Sequence, residues 1–288
     1  LDCEGDFTFL HAHNFAGNLD HYHHFFGAVV LPFLELISLG YTNKEMTYFV
    51  QKCGPLSSEL QEIADFYEVK IKFFPACLRD VAVNLKEVTH IHLPSYDYSY
   101  HTDWWLKPHQ VKAIRRVALP ISSFKSDAIK EDRHKILLVD RAPPTDYYSS
   151  PEATTGTSGA VRRSVPNMDE LELALEADYS VERVFLEHHS LSEKMNFFRS
   201  VDIVVGQMGA GLNGLLWMKP GASLVEIHPL DEIRRDYAAY GNTAKELSIL
   251  HYRIIQGQPH AAVNIDLVVA YIKQAVRDMR SISLALES

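Results

Sequence analysis

The residues best suited to hold an anion lie at 202–214, DIVVGQMGAGLNG: a β-branched run, then Gly209, Gly211 and Gly214, then the apolar stretch LLWM. Glycine lets backbone amides approach an anion without a Cβ in the way, and a helix N-terminus presents unpaired N–H groups with a favourable dipole. A diphosphate suits such a place. Gly209-Ala210-Gly211-Leu212-Asn213-Gly214 also reads as G-x-G-x-x-G, which makes a dinucleotide cofactor the competing ligand. Glycines used only for close packing of helix on strand are the third reading. Position separates the first two: a dinucleotide fingerprint normally opens its domain, whereas this run follows the third predicted strand of the second half. Glu226, ending the next predicted strand, is a candidate for a ribose hydroxyl in either case. Arg141, just past the strand ILLVD, and the pair Arg162 and Arg163 offer fixed positive charge for phosphate oxygens, although each alone reads as a surface residue.

A second group able to do chemistry is NLDHYHHFF, residues 18–26. Asp20, His21 and His24 can each take a proton, and a neutral imidazole does so near pH 7. His11, His13, His21, His23 and His24 are dense enough to suggest a metal site, and on a helix His21 and His24 share a face. No third ligand has recognisable spacing, and packing or surface roles are equally open to these histidines. No Asp-x-Asp occurs anywhere in the sequence. Tyr96, Tyr98, Tyr100, Trp104 and Trp105 form an aromatic cluster, a sugar platform or domain core.

The elements that must position these groups alternate short apolar runs with helical patterns, the order of parallel α/β architecture. Met46–Val50, Val69–Phe74 and Lys86–Leu93 read as strands, Ser57–Tyr67 as a helix, and Pro108–Ala118 as a helix opened by a proline. The polar run Lys125–Lys135 reads as a linker, dividing the chain into domains 1–125 and 126–288. In the second, Ile136–Val139, Val184–Leu186, Ile203–Val205, Leu224–Ile227 and Ile249–Ile255 read as strands buried on both faces. Met168–Ala177, Ser192–Arg199, Gly211–Met218 and Tyr237–Leu247 read as helices between them, Ile265–Met279 as a closing amphipathic helix, and Thr154–Gly159 as a flexible loop.

Composition narrows the classes. With 47% hydrophobic residues over 288 positions the chain can bury a core, which excludes a disordered protein. A formal charge of −9 argues against nucleic acid as a partner, because phosphate tracking needs an excess of Lys and Arg. Three cysteines allow at most one disulfide, excluding a disulfide-rich scaffold. No apolar run has the length of a membrane span, so the chain as written is expected to be soluble and cytoplasmic, or a Golgi or ER lumenal domain if an N-terminal anchor was removed.

The stretch DIVVGQMGAGLNGLLWMKPGASLVEIHP resembles the signature of glycosyltransferase family 61: a strand, H-G-A-G-L-T-N, an apolar helix, P-G-A and then V-E-I. ILLVDRAP, RRSVPNMDELELAL and LEHHSLSEKMNFFRSVD resemble the segments that precede it, and HTDWWLKPHQVKAIRRVAL a linker and helix before those. NLDHYHHFFGAVVLPFLEL resembles an Asn-x-x-His segment before an apolar helix. The resemblance is specific over 136–229 and looser before that.

It implies an inverting, UDP-sugar-dependent transferase of the GT-B type, with two Rossmann-like domains facing a cleft. The acceptor implied is a glycan or glycoprotein, and xylose or N-acetylglucosamine is the sugar expected. Carried over residue by residue, Gly209, Ala210, Gly211, Leu212 and Asn213 would hold the donor diphosphate and Glu226 the ribose. Arg141 and Arg163 would neutralise phosphate, and Glu187 to Ser190 would lie beside the uracil. His24, His21 and Asp20 are the candidates for the catalytic base, and the helix end with the arginines would replace a divalent metal or other cofactor. Two departures stand out: Met208 occupies the place of the signature's His, and Phe25 and Phe26 the place where relatives often carry an acid. A nucleotide-cofactor oxidoreductase and a nucleotide-sugar-binding module lacking its base are the alternatives. Oligomeric state is not legible.

Overall fold

A computed structural model of the chain describes residues 2–3, 7–10, 19–40, 47–74, 84–85, 114–117, 133–153, 158–229 and 239–287. The chain divides into two compact units. The first comprises Leu1–Trp104, Lys112–Ile121 and Thr145–Gly156; the second comprises Trp105–Val111, Ser122–Pro144 and Thr157–Ser288. Both contain parallel strands and helices, so the chain is α/β. The expected strand Lys86–Leu93, the aromatic cluster, His11, His13 and residues 125–132 of the polar run lie outside the described residues. Of the Pro108–Ala118 helix only Ile114 to Val117 are described, and they are helical.

In the first unit β1 (Asp2–Cys3) and β5 (Asn84–Leu85) form a short parallel pair, and β2 (Phe7–Leu10), β3 (Thr47–Gln51) and β4 (Lys70–Phe74) a three-stranded parallel sheet. A continuous helical segment joins β2 to β3: α1 (Tyr22–Phe25), a π turn (Phe26–Val30) and α2 (Leu31–Ser38). Pro32 has no N–H for an α ladder, and the ladder widens just before it, where Leu31 N–H donates to Phe26 O. α2 is apolar nearly all round and is correspondingly buried, with Phe33 packed edge-on against Tyr48 of β3. α3 (Ser57–Phe66) buries Leu60, Ile63 and Ala64, the stripe that a period of 3.6 dictates.

The second unit holds a fully parallel sheet of five strands: β6 (Lys135–Asp140), β7 (Ser180–Phe185), β8 (Ile203–Gln207), β9 (Ser223–His228) and β10 (Leu250–Ile255), in the order β10-β9-β8-β6-β7. Its helices are α4 (Gly159–Arg162), α5 (Met168–Glu176), α6 (Leu191–Ser200), α7 (Ala239–Glu246) and α8 (Ile265–Glu287). One face, with Ile136, Leu138, Ile203, Val205, Val225, Ile227 and Ile254, packs on Met168, Leu171 and Leu175 of α5 and on Val268, Ile272 and Ala275 of α8. Alternation sends Val139, Gly206, Glu226 and Arg253 to the other face, where the register places them in one row across four strands. Counted from β6, the order is doubly wound, with consecutive strands β7 and β8 leaving β6 in opposite directions. Open sheets of this kind bind ligands beyond the carboxyl ends of the strands where the order reverses, here beyond β6 and β8.

Three expectations change. The helix read over Gly211–Met218 is a 3-10 helix, Ala210–Trp217. Strand β7 begins at Ser180 rather than Val184, because its half-exposed first residues alternate with charge instead of forming an apolar run. Gly159 is no part of a loose loop: it is buried at the start of α4, where a Cβ would lie 2.3 Å from Ala142 O. Among the described residues no helix is long and apolar enough to cross a membrane.

Candidate functional site

The glycine loop springs from the carboxyl end of β8, and Arg141 follows β6 directly. Asp140 fixes that exit: its Oδ1 accepts from Arg141 N–H at 2.8 Å while its Oδ2 is held by Arg183 at 2.6 Å. Arg183 is itself gripped by Asp169 and Glu172. The Arg141 guanidinium then reaches across to the loop and donates to Met208 O at 2.8 Å. Arg163, 4% exposed just beyond α4, donates to the same oxygen at 3.0 Å. Arg162, its neighbour, is exposed. The arginines that look alike in sequence thus separate, and two of the three converge on one carbonyl.

Two guanidiniums converging on a single neutral acceptor concentrate positive charge at this point of the loop. Burial, then the like charge of Arg163, lowers the Arg141 pKa to about 10, against the opposing pull of Glu187 and Tyr240. A guanidinium is a planar fork of five N–H donors, and Arg141 spends one of them on Met208 O. Met208, the departure from the signature histidine, is buried and contributes its main chain: its N–H donates to Ile227 O and its carbonyl gathers both arginines. Position 208 therefore organises the loop whatever its side chain.

The three glycines divide in role. A Cβ on Gly209 would come within 1.7 Å of Arg141 Nη2, so this residue is small because the guanidinium crosses it. On Gly211 a Cβ would meet Leu186 and Val139, and on Gly214 it would meet the Phe198 ring at 2.1 Å. Both of those glycines serve packing, and the space at Gly211 faces protein rather than an incoming phosphate. Leu212 buries its side chain and closes the first 3-10 turn through its N–H to Gly209 O, and Asn213 continues that turn. Of the residues expected to cradle a diphosphate, Ala210 and Gly211 are those whose N–H groups precede the ladder.

Glu226 sits on the same sheet face, 0% exposed. Its Oε1 accepts from His228 Nδ1 at 2.8 Å and its Oε2 from His251 Nε2 at 2.7 Å, with Arg253 Nε at 3.6 Å. Burial opposes the charge, yet the two imidazole hydrogen bonds and the charges of Arg253 and His251 hold the carboxyl at about 2. Both carboxylate oxygens thus already accept a hydrogen bond within the protein. Ser190 is likewise committed: it caps α6 in a capping box with Glu193. Gln207 and Gln256, both missed by motif reading, tie the loop after α4 to the segment after β10 through Ser164 O.

The base candidates belong to the first unit. Asp20, 3% exposed, and His21 form the turn into α1, and the His21 and His24 rings lie 4.8 Å apart, centre to centre. Two residues absent from any motif hold this turn. Tyr148 donates to Asp20 O at 2.9 Å, and the Tyr147 hydroxyl lies 3.4 Å from Asp20 Oδ2. The Tyr147 ring occupies the space where Gly54, at φ +56, would carry a side chain. Beside them the buried Cys53 thiol is pushed up to about 12 by burial and by Asp20. The Tyr22 phenol is raised by burial and by Glu59 of α3. Phe25 and Phe26 are core residues, so the acid missing there leaves no open position. Among the described residues no group of three His, Cys, Asp or Glu is arranged to hold a metal.

A model of the family described as Glycosyltransferase 61 matches residues 22–225. The chain belongs to glycosyltransferase family 61. Its membership identifies the protein as a glycosyltransferase, with a sugar donor and an acceptor as its substrates. The family 61 match takes in His24, Arg141, Arg163 and the glycine loop, and stops one residue before Glu226. No curated protein matches the sequence.

Proposed function

We propose that this family 61 protein is an inverting transferase of the two-domain GT-B type that moves a sugar, xylose or N-acetylglucosamine, from a UDP-sugar to a glycan or protein-linked acceptor. Residues 126–288 bind the donor and residues 1–125 the acceptor. The observation that carries the donor reading is the convergence of Arg141 and Arg163 on Met208 O at the point where the strand order reverses. There the guanidiniums and the first N–H groups of the 3-10 helix stabilise the departing diphosphate, replacing a divalent cation. Inversion needs one base on the acceptor hydroxyl, drawn from Asp20, His21 and His24. The glycine loop follows the third strand of its sheet in chain order, which disfavours a dinucleotide cofactor.

Calorimetry of the full chain with UDP, UDP-xylose, UDP-N-acetylglucosamine, GDP-mannose and NAD tests this reading. Uridine nucleotides are expected to bind and NAD to be refused. Tight binding of NAD with no response to UDP would overturn it. Measured transfer from the preferred UDP-sugar separates a working enzyme from a binding module.

A further inference from the structure

His228 ends β9 at the carboxyl edge of the sheet, one strand over from the loop that gathers the arginines. The two are joined directly, since Met208 N–H donates to Ile227 O. The His228 ring is 1% exposed. Its Nδ1 meets Glu226 Oε1 at 2.8 Å. An ionised carboxylate can only accept, so that contact puts the ring proton on Nδ1 and leaves an unshared pair on Nε2, on the far side of the ring from Glu226. Among the described residues, Nε2 is a buried atom with no hydrogen-bond partner.

Buried acceptors without a partner are rare because they forfeit water and gain nothing in return. This one is also held in place by three features. Glu226 fixes the ring, His251 takes the other carboxylate oxygen, and His251 in turn lies against Gly241 of α7, where a Cβ would fall 3.0 Å from its Nδ1. A carboxylate that orients an imidazole through Nδ1 presents the opposite nitrogen, Nε2, as a fixed acceptor. In the tautomer that Glu226 selects, Nε2 is an acceptor, and a hydroxyl is a donor that suits it.

Resting on the nucleotide-sugar reading above, we infer that His228 Nε2 accepts a hydrogen bond from a ribose hydroxyl of the donor nucleotide, with Glu226 as the positioning residue behind it. The ribose contact passes through the imidazole, and the arginines and the 3-10 helix keep the diphosphate.

Calorimetry of the full chain with UDP, 2′-deoxy-UDP and 3′-deoxy-UDP tests this, with His228→Phe, which fills the same buried space, and His228→Gln, which restores an acceptor. The parent is expected to prefer UDP over one of the deoxy forms by about tenfold, the worth of one hydrogen bond to a buried acceptor. His228→Phe should abolish that preference and His228→Gln should recover part of it, with circular dichroism confirming that both are folded. Should the parent bind UDP without distinguishing the deoxy forms, or should His228→Phe keep the distinction, the role of His228 falls and the UDP reading stands. A change in His228→Phe confined to UDP-sugar relative to UDP would place the hydroxyl on the transferred sugar and overturn the ribose assignment. Failure of the parent to bind any of the three nucleotides would sink the nucleotide reading and this one with it.

Discussion

The phenol of Tyr240, in α7, donates to the carbonyl oxygen of Gly209 at 2.6 Å. That bond ties the glycine loop to a helix 31 residues further along the chain. Because the same carbonyl accepts from Leu212 N–H, Tyr240 steadies the residue on which the 3-10 helix is built. Tyr240→Phe is expected to weaken UDP binding by about 0.5–1.5 kcal/mol, the net worth of such a bond. Calorimetric affinity equal to the parent's would show that the loop keeps its shape unaided.

Gly209→Ala places a methyl where Arg141 Nη2 now lies, and the guanidinium must leave Met208 O. Its expected cost to UDP affinity matches that of Arg141→Ala, about 1.5–3 kcal/mol for a charge-assisted contact. The double variant should be little worse than either single one, since both remove the same interaction. Additive losses would separate the two residues.

The carboxyl of Glu226 lies at about 2 in the folded protein against an ordinary 4.5. A depressed carboxyl stabilises the fold fully above the unfolded value, and that contribution fades as pH falls through the folded one. Glu226→Gln should therefore be clearly less stable than the parent in urea at neutral pH. The gap should narrow between pH 4.5 and about 2. A gap that stays constant over that window would show that the carboxylate's charge contributes nothing.

Transfer is expected to persist after exhaustive treatment with EDTA, since on the proposed donor reading Arg141 and Arg163 take up the charge of the diphosphate. Complete loss, reversed by added metal, would refute metal independence and direct attention to the histidines near the N-terminus.

Alanine variants of Asp20, His21 and His24 separate chemistry from support. Loss of the general base should lower turnover by roughly 100-fold or more with UDP affinity near the parent's. A residue that merely packs would lower the melting temperature and leave the rate per folded molecule unchanged. Asp20 has the most to lose structurally, because it is buried and anchored by Tyr148. Asp20→Asn, which keeps the shape, is its cleaner test.

The second unit was readable because β6, β8 and β9 are short, largely apolar and buried runs, and its loop is a string of glycines. What escaped were contacts between residues far apart in the chain: the meeting of Arg141 with Arg163 at Met208, the reach of Tyr240 to Gly209, and the hold of Tyr148 on Asp20. None of these has a spacing to recognise. Glu226 was visible as an acid at a strand end, but its two imidazole partners lie on two strands, so its burial could not be read from the motif. The glycines were read as one site although their neighbours, Arg141, Leu186 and Phe198, give them different work.

The stretch Thr145–Gly156 belongs to the first unit, though the chain on either side of it belongs to the second. On a ribosome this fixes an order of events. The turn at Asp20 waits for Tyr148, 128 residues later, so the N-terminal unit cannot finish while the nascent chain ends near residue 125. By the time Tyr148 emerges, β6 and Arg141 have been made as well. No single scission of the polypeptide therefore yields both units whole.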